Sequence, residues 1–141
     1  MTANPTCCTP DTSLQSVAKT MADEDCGCLP VIEDHESMTP IGTITDRDIC
    51  CRTVAEGLNP LEMTVADAMS SPVVTVPEDA DIETCLQLME ENQIRRIPVV
   101  DANGACCGLV AQADVARIAP EHVAGDLVQE ISRATSSASN T

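Results

Sequence analysis

Nine cysteines are the most reactive side chains in this chain of 141 residues. Cys26 and Cys28 flank one glycine, and His35 or the adjacent Cys7 and Cys8 could complete a set of zinc ligands with them. One intervening residue is fewer than the roughly two to four usual between paired zinc ligands. The same two thiols could instead form a regulatory disulfide. Because the cysteines occupy positions where small apolar residues would pack, we expect buried thiols and no bound metal.

No pattern of catalytic residues accompanies these thiols. A Ser-His-Asp set, a pair of carboxylates and a glycine-rich phosphate loop are all missing at useful spacing. We therefore predict no catalytic residues and a protein that is not an enzyme.

The composition restricts the possible partners. Acidic residues number 23 against 7 basic ones, which gives a formal charge of −16. Such a charge repels nucleic acids and anionic lipid surfaces. The chain has no Phe, Trp or Tyr, so a flat ligand cannot stack on an aromatic ring. No apolar run approaches the roughly 18 residues of a membrane span, and no signal peptide is visible. We predict a cytoplasmic protein with no nucleic-acid or membrane partner.

The elements that must position these residues occur twice. Apolar residues recur at helical spacing from Leu14 and again from Ile82, and acidic or hydroxyl residues precede both starts. Equivalent residues are 82 − 14 = 68 positions apart up to the next proline, and 66 apart after it. Short β-rich runs contain Pro30 and Pro98, and each proline is expected to open a strand at a sheet edge. Each copy is predicted to fold as β-α-β-β-α.

The boundaries follow from this duplication. Residues 4–57 and 71–119 are the two predicted repeats, 58–70 form a linker with a short helix, 120–134 form a C-terminal helix, and 135–141 form a flexible tail. The C-terminal helix is predicted from apolar residues at helical spacing, which are Val123, Leu127, Val128 and Ile131.

The duplicated pattern resembles the cystathionine β-synthase (CBS) domain, and the tandem resembles a CBS pair. Three features carry the resemblance: helices ending in Met21 and Met89, strands reading Leu29-Pro30-Val31 and Ile97-Pro98-Val99, and a Gly-x-x-x-x-x-Asp segment closing each copy. The whole chain is similar to small stand-alone CBS proteins. The resemblance implies an α/β (α+β) fold in which the two β-α-β-β-α repeats are related by pseudo-two-fold symmetry.

The resemblance also implies a function. Such modules are regulatory and bind AMP, ADP, ATP or S-adenosylmethionine in a cleft between the repeats, and they form homodimers. In the family, a Thr or Ser three residues before the closing Asp contacts the ribose together with that Asp. Thr45 and Asp48 match this pair in the first repeat, whereas the second keeps Asp114 but has Ala111 in place of the hydroxyl. A carboxylate at a first helical turn can accept hydrogen bonds from both ribose hydroxyls.

A basic residue that contacts the phosphate of the ligand is expected in the second repeat. Family members often carry a basic residue three positions before the strand proline, and this position is Arg95 in the second repeat and Gly27 in the first. Arg47, Arg52 and Arg117 are weaker candidates. The strand residues expected to line the pockets are Pro30, Val31, Pro98 and Val99.

Other interpretations stay open at this point. Thr45 and Asp48 could simply cap a helix, and Arg95 and Arg96 could pair with Glu90 and Glu91 on the surface. The chain could be a structural or stress-response interaction protein without a ligand, or a thiol redox switch. If a ligand binds, the acidic background favours a monophosphate, a diphosphate or another adenosyl compound over ATP.

Overall fold

The computed structural model describes residues 1–118, with side chains through Val115. The described backbone forms two compact units, one of residues 6–73 and one that combines residues 1–5 with residues 74–118. We call them the first-repeat unit and the second-repeat unit. The predicted C-terminal helix, the tail and the side chain of Arg117 lie outside the described residues.

The elements follow the predicted order in both repeats. The first-repeat unit contains α1 (Leu14–Glu24), β2 (Cys28–Ile32), β3 (Pro40–Thr45), α2 (Asp46–Arg52), two 3-10 turns (Val54–Glu56 and Pro60–Glu62) and α3 (Val65–Ala68). The second-repeat unit contains β1 (Thr2–Ala3), β4 (Val76–Pro77), α4 (Ile82–Asn92), β5 (Arg96–Val100), β6 (Cys106–Ala111) and α5 (Gln112–Ile118). The mixed α/β class and the duplication are thereby confirmed.

The two long helices begin and end in the same way. Ser13 accepts a hydrogen bond from the Ser16 N–H at 3.1 Å, and Asp81 accepts one from the Thr84 N–H at 2.7 Å. The predicted N-terminal caps are therefore present. Each helix ends in a left-handed residue, Asp25 with φ 52° and Gln93 with φ 53°, which turns the chain toward the next strand.

The strand before each helix is shorter than predicted. In the first repeat it is reduced to one parallel bridge between Cys8 and Val31. In the second repeat it is the two-residue β4, which pairs in parallel with β5.

The two prolines do not open edge strands, so that prediction is wrong. β2 and β5 each begin two residues earlier, and β5 lies inside the sheet order β1-β6-β5-β4. In the first-repeat unit, the parallel neighbour of β2 is the single residue Cys8. Its N–H donates to the Pro30 carbonyl at 3.1 Å, and its carbonyl accepts from the Ile32 N–H at 2.8 Å. Since this neighbour is so short, the missing N–H of Pro30 removes no bond of the sheet.

Each unit has its own hydrophobic core, built from equivalent residues. Leu14, Val17, Met21, Leu29, Val31 and Ile44 pack in the first, and Ile82, Cys85, Met89, Ile97, Val99 and Val110 pack in the second. A core of this kind provides most of the stabilisation of the repeat.

A methionine packs on a glycine in both units. β1 pairs with β6, and a β-carbon added to Gly108 would lie 2.5 Å from Met1 Sδ. In the first-repeat unit, Ser70 pairs with Thr43 of β3, and a β-carbon on Gly42 would lie 2.4 Å from Met69 Cε. The segment before each repeat therefore pairs with a sheet, through the strand β1 in one unit and through a single bridge in the other, and glycine leaves room for its methionine.

None of the helices among residues 1–118 is both long and apolar enough to cross a lipid bilayer. The cytoplasmic location stays a prediction.

Candidate functional site

The first turn of α2 carries the predicted threonine and aspartate. The Thr45 hydroxyl accepts a hydrogen bond from the Asp48 N–H at 3.0 Å, and Asp48 Oδ2 accepts one from the Thr45 N–H at 3.1 Å. This reciprocal arrangement is a capping box, in which two helix donors are satisfied. Thr45 and Asp48 therefore cap α2, and their role in binding a ligand stays a prediction. The same bonds fix the orientation of the Asp48 carboxylate, which is 14 % exposed.

Two further groups contact this carboxylate. Ser70 Oγ donates to Asp48 Oδ2 at 3.5 Å, and Arg52 Nη2 lies 3.8 Å from Asp48 Oδ1. Arg52 Nη1 also donates to the carbonyl oxygens of Ala68 at 3.0 Å and Met69 at 2.8 Å. Those carbonyls close α3, where positive charge is favoured. Arg52, one of the candidate phosphate ligands, is thus held by α3 and Asp48.

A second carboxylate lies over Gly27. The Asp46 N–H donates to the Gly27 carbonyl at 3.0 Å, and Asp46 Oδ1 accepts from the Arg47 N–H at 2.8 Å. A β-carbon on Gly27 would lie 2.9 Å from Asp46 Oδ2. Negative charge therefore occupies the place where the resemblance expects a basic side chain.

The strand residues expected to line the pockets are buried. Val31 and Val99 are 0 % exposed and belong to the two cores. Pro30 and Pro98 are buried as well. Their role in binding stays a prediction.

The second repeat has half of the same arrangement. Asp114 Oδ2 accepts from the Ala111 N–H at 3.1 Å and lies 3.4 Å from the N-terminal ammonium of Met1. Ala111 offers no hydroxyl for the reciprocal bond. Arg95 is exposed, and its carbonyl accepts from the Gln112 N–H at 2.7 Å.

The predicted residues thus fall into two groups. Thr45 and Asp48 lie together in the first-repeat unit, and Arg95 and Asp114 flank the start of α5 in the second-repeat unit. Among the residues with described side chains, Arg95 and Arg96 form no ion pair, so the expected pairing with Glu90 and Glu91 is not observed. Sequence reasoning missed the contacts of Ser70 and Asp46. The repeat spacing contained a signal for Asp46. It makes Asp46 equivalent to Gln112 and Gly27 equivalent to Arg95, so the two repeats differ in charge at both positions.

Four of the nine thiols are buried, and the other five are partly or fully exposed. Cys8, Cys28, Cys85 and Cys106 are buried, whereas Cys50 and Cys51 are exposed on α2 and depart from the expectation of burial. Burial, with a smaller effect of Cys28, raises the pKa of Cys8 to about 12, and burial raises the pKa of Cys85 to about 11. These two side chains are protonated thiols at neutral pH, the form that neither attacks disulfides nor binds metals.

The zinc interpretation finds no support in residues 1–118. No group of three or more His, Cys, Asp and Glu side chains in this part of the chain is arranged to hold a metal ion.

A small acidic pocket lies at the ends of β4 and β5. Its volume is about 140 Å³, and it is lined by Pro77, Glu78, Asp79, Val100, Asp101 and Ala102. The Cys107 thiol donates to Glu78 Oε2 at 3.7 Å, and burial together with the charge of Glu78 raises the pKa of Cys107 to about 11. Three carboxylates disfavour a phosphate there. The pocket was not predicted from the sequence.

Comparison with known proteins gives the following matches. The model of the CBS domain matches residues 1–52 and 65–121. The chain is 35 % identical over 131 residues to hypoxic response protein 1 of Mycobacterium tuberculosis, covering 93 % of this chain and 90 % of that protein. It is 36 % identical over 115 residues to an uncharacterized protein of Methanopyrus kandleri, covering 82 % of this chain but only 58 % of that protein.

Two solved structures are similar over most of the chain. The crystal structure of hypoxic response protein I with two coordinated zinc ions has a TM-score of 0.73 at 35 % identity, covering 83 % of this chain and 92 % of that one. The crystal structure of CBSX2, a CBS-pair protein from Arabidopsis thaliana, in complex with AMP has a TM-score of 0.74 at 25 % identity, covering 86 % and 93 %.

Proposed function

The chain belongs to the CBS domain family, as its repeats predicted, and on that basis we propose that it is a regulatory CBS-pair module that binds an adenosyl ligand. The ligand is AMP, ADP, ATP or S-adenosylmethionine, with ATP the least favoured because of the charge of −16. The proposal does not include catalysis.

The observation that carries this proposal is the fixed carboxylate of Asp48. An ionised carboxylate can accept about four hydrogen bonds. The capping box and Ser70 use Oδ2, and the contact of Oδ1 with Arg52 is long, at 3.8 Å. Capacity to accept ribose hydroxyls therefore remains. A relative of the same fold, CBSX2, has been solved in complex with AMP, which supports the choice of ligand class.

Thermal unfolding of the reduced protein against each candidate ligand tests the proposal. A ligand at 100 times its Kd stabilises the folded state by about 2.7 kcal/mol, which raises Tm by several degrees. Asp48→Ala should abolish most of the shift. Asp67→Ala is the matched control, because Asp67 Oδ2 accepts from the Thr64 N–H at 2.9 Å at the start of α3. It lowers Tm by removing a similar cap and should leave the ligand shift intact.

The same experiment separates the alternatives. If none of these ligands raises Tm, the adenosyl proposal is wrong, and a ligand-free interaction protein becomes the better explanation. The absence of a hydroxyl at Ala111 and the carboxylate over Gly27 favour that alternative.

We also propose that the protein forms a homodimer. The family resemblance implies this assembly, and Val54, Leu58 and Leu61, which are 61 %, 50 % and 65 % exposed, are the residues we propose for the interface. Sedimentation velocity should give twice the monomer mass, and Leu61→Glu should shift the population toward the monomer.

A further inference from the structure

Two of the nine cysteines differ from the rest in their exposure. Cys50 and Cys51 are exposed near the end of α2, whereas every other cysteine is buried or half-buried. Thiol–disulfide exchange requires that the disulfide reaches the sulfur of the attacking thiol. A disulfide in solution therefore reaches these two side chains before any other thiol of the chain.

The two exposed thiols cannot join each other while α2 is helical. Consecutive Cα atoms are about 3.8 Å apart, whereas a disulfide usually joins residues whose Cα atoms are roughly 4.4 to 6.8 Å apart. Neighbouring side chains on a helix also point in different directions. A mixed disulfide formed at Cys50 or Cys51 is therefore not released by the adjacent thiol, and it persists until an external thiol removes it.

An arginine lies beside both thiols. Arg47 precedes Cys50 by three residues and Cys51 by four, and residues at these spacings are neighbours on a helix surface. It is exposed and forms no ion pair within the part of the chain whose side chains are described. With two aspartates and two arginines, α2 has no net charge, although the whole chain carries −16. The guanidinium of Arg47 is therefore available to a carboxylate of an anionic disulfide.

The end of α2 leads into the apolar residues proposed for the homodimer interface, Val54, Leu58 and Leu61. Val54 follows Cys51 by three residues, so their Cα atoms are at most about 11 Å apart. The Leu58 N–H donates to the Thr53 carbonyl at 2.9 Å, which returns the chain to the end of α2. A tripeptide extends over a similar distance. A group of that size attached to α2 therefore reaches the proposed interface.

We propose that Cys50 and Cys51 form a modification site for small anionic disulfides, and that the group added there dissociates the homodimer. The dissociation rests on the homodimer proposed above. A thiolate of this pair attacks one sulfur of the disulfide, the new Sγ–S bond forms as the old S–S bond breaks, and the other half leaves as a thiolate that takes up a proton. The cysteine is oxidised and the leaving thiol is reduced. The added carboxylates then carry charge into an apolar interface, where burial of charge is unfavourable.

Oxidised glutathione is the probe for the modification site. The reduced full chain is treated with it without denaturant, and intact mass and peptide mapping follow the adduct over time. The early adduct should be on the peptide that contains Cys50 and Cys51. The single variants Cys50→Ser and Cys51→Ser identify the reacting thiol, and the double variant should lose nearly all of the early adduct. Cys7→Ser, which removes a half-buried thiol of the same unit, should react as the wild type does.

The part played by Arg47 is tested through the rate of the same reaction. Arg47→Gln should slow the formation of the adduct roughly two- to fivefold, the effect of one surface charge pair. Arg96→Gln is the matched control, because it removes another exposed arginine without an ion pair among the described side chains. Equal rates in the two variants would refute the contact with Arg47.

Sedimentation velocity tests the effect on assembly. The reduced wild type should sediment as a dimer, its glutathione adduct as a monomer, and the adduct treated with excess reductant as a dimer again. The double variant with serine at both positions should stay a dimer throughout the same treatment.

The outcomes separate the two proposals. An internal disulfide, or a disulfide between two chains, in place of the mixed disulfide would overturn the modification site. If the adduct forms but the dimer persists, the dissociation is wrong and the homodimer stands. If the reduced wild type is already a monomer, the homodimer and its dissociation are both wrong, while mass spectrometry still decides the modification site.

Discussion

Asp48 and Asp114 occupy equivalent positions but have different neighbours. Asp48 faces a threonine hydroxyl across the capping box, whereas Asp114 faces Ala111 and the N-terminal ammonium of Met1. One missing hydrogen bond costs about 0.5 to 1.5 kcal/mol. We therefore expect Asp48→Ala to weaken adenosyl binding more than Asp114→Ala does, as measured by titration calorimetry. Ala111→Thr should strengthen binding to the second repeat, and equal losses in the two aspartate variants would refute this ranking.

Cys8 gives the protein a pH dependence on the alkaline side. Burial and the nearby Cys28 raise its pKa from 9.0 to about 12. Above pH 9 the unfolded chain ionises this thiol while the folded chain keeps the proton, so its contribution to stability is complete below pH 9 and is lost as the pH rises toward 12. From pH 8 to pH 10.5, the unfolding free energy of the wild type should fall by about 1 to 2 kcal/mol more than that of the Cys8→Ala variant. Urea unfolding at both pH values measures this difference, and identical pH profiles would contradict it.

The candidate site could be predicted only in part from the sequence. Thr45 and Asp48 were identified because they match a motif, and the helix start makes their contact a local one. Two other features depend on contacts between separate elements. They are the position of the Asp46 carboxylate over Gly27 and the hydrogen bonds from Arg52 to the carbonyls of Ala68 and Met69. Side-chain spacing along one element carries no information on such contacts.

At the scale of elements, the two glycine positions differ in how firmly they are enclosed. A β-carbon on Gly42 would lie 2.5 Å from the Ser70 carbonyl oxygen, which is backbone, while one on Gly108 meets only the flexible side chain of Met1. Ser70 cannot move without breaking its two hydrogen bonds to Thr43, at 3.0 and 2.9 Å. Overpacking usually costs about 1 to 3 kcal/mol. We expect Gly42→Ala to lower the unfolding free energy by an amount in that range, and Gly108→Ala by clearly less, in urea unfolding. A larger loss for Gly108→Ala would contradict this explanation.

The two helix caps should respond differently to pH. Hydrogen bonds from Thr84 hold the pKa of Asp81 below its ordinary value of 3.8. The contribution of this cap is therefore present above about pH 4 and is lost as the pH falls through the lowered pKa. Ser13 does not titrate, so Ser13→Ala should cost about 1 kcal/mol at any pH. Tm measured at pH 7 and pH 3 should show a destabilisation by Asp81→Ala that shrinks at low pH, while the effect of Ser13→Ala persists.

Helices and cores were predictable because their signals are local and repeated. The apolar spacing from Leu14 and Ile82 and the caps before them agree with α1 and α4. The prediction that the prolines open edge strands was wrong because it was inferred only from their missing N–H groups. The parallel neighbouring strand is so short that it requires no hydrogen bond from those N–H groups. The pairing of β1 with β6 joins residues more than a hundred positions apart, and no local pattern indicates such a partner.

At the scale of the whole molecule, we expect residues 1–5 to stabilise the second-repeat unit and not the first-repeat unit. β1 forms one edge of the sheet in the second-repeat unit, and the Asn4 N–H donates to the Cys107 carbonyl at 3.0 Å. Deletion of residues 2–5 exposes the edge of β6. Hydrogen exchange should show faster exchange in β6 and unchanged protection in β3 of the other unit. Thr2→Ala is the control because it keeps the backbone bonds, and equal loss of protection in both units would contradict the assignment.

The place of residues 1–5 also has a consequence for the newborn polypeptide. These residues are synthesised about a hundred residues before their partner strand, which spans Cys106–Ala111. Translation proceeds at about 5 to 20 residues per second, so residues 1–5 wait roughly 5 to 20 s for that strand to be made. Residues 6–73, by contrast, hold all members of their own core early in synthesis. The sheet of the second-repeat unit is therefore completed only after the whole core of the first-repeat unit has been synthesised.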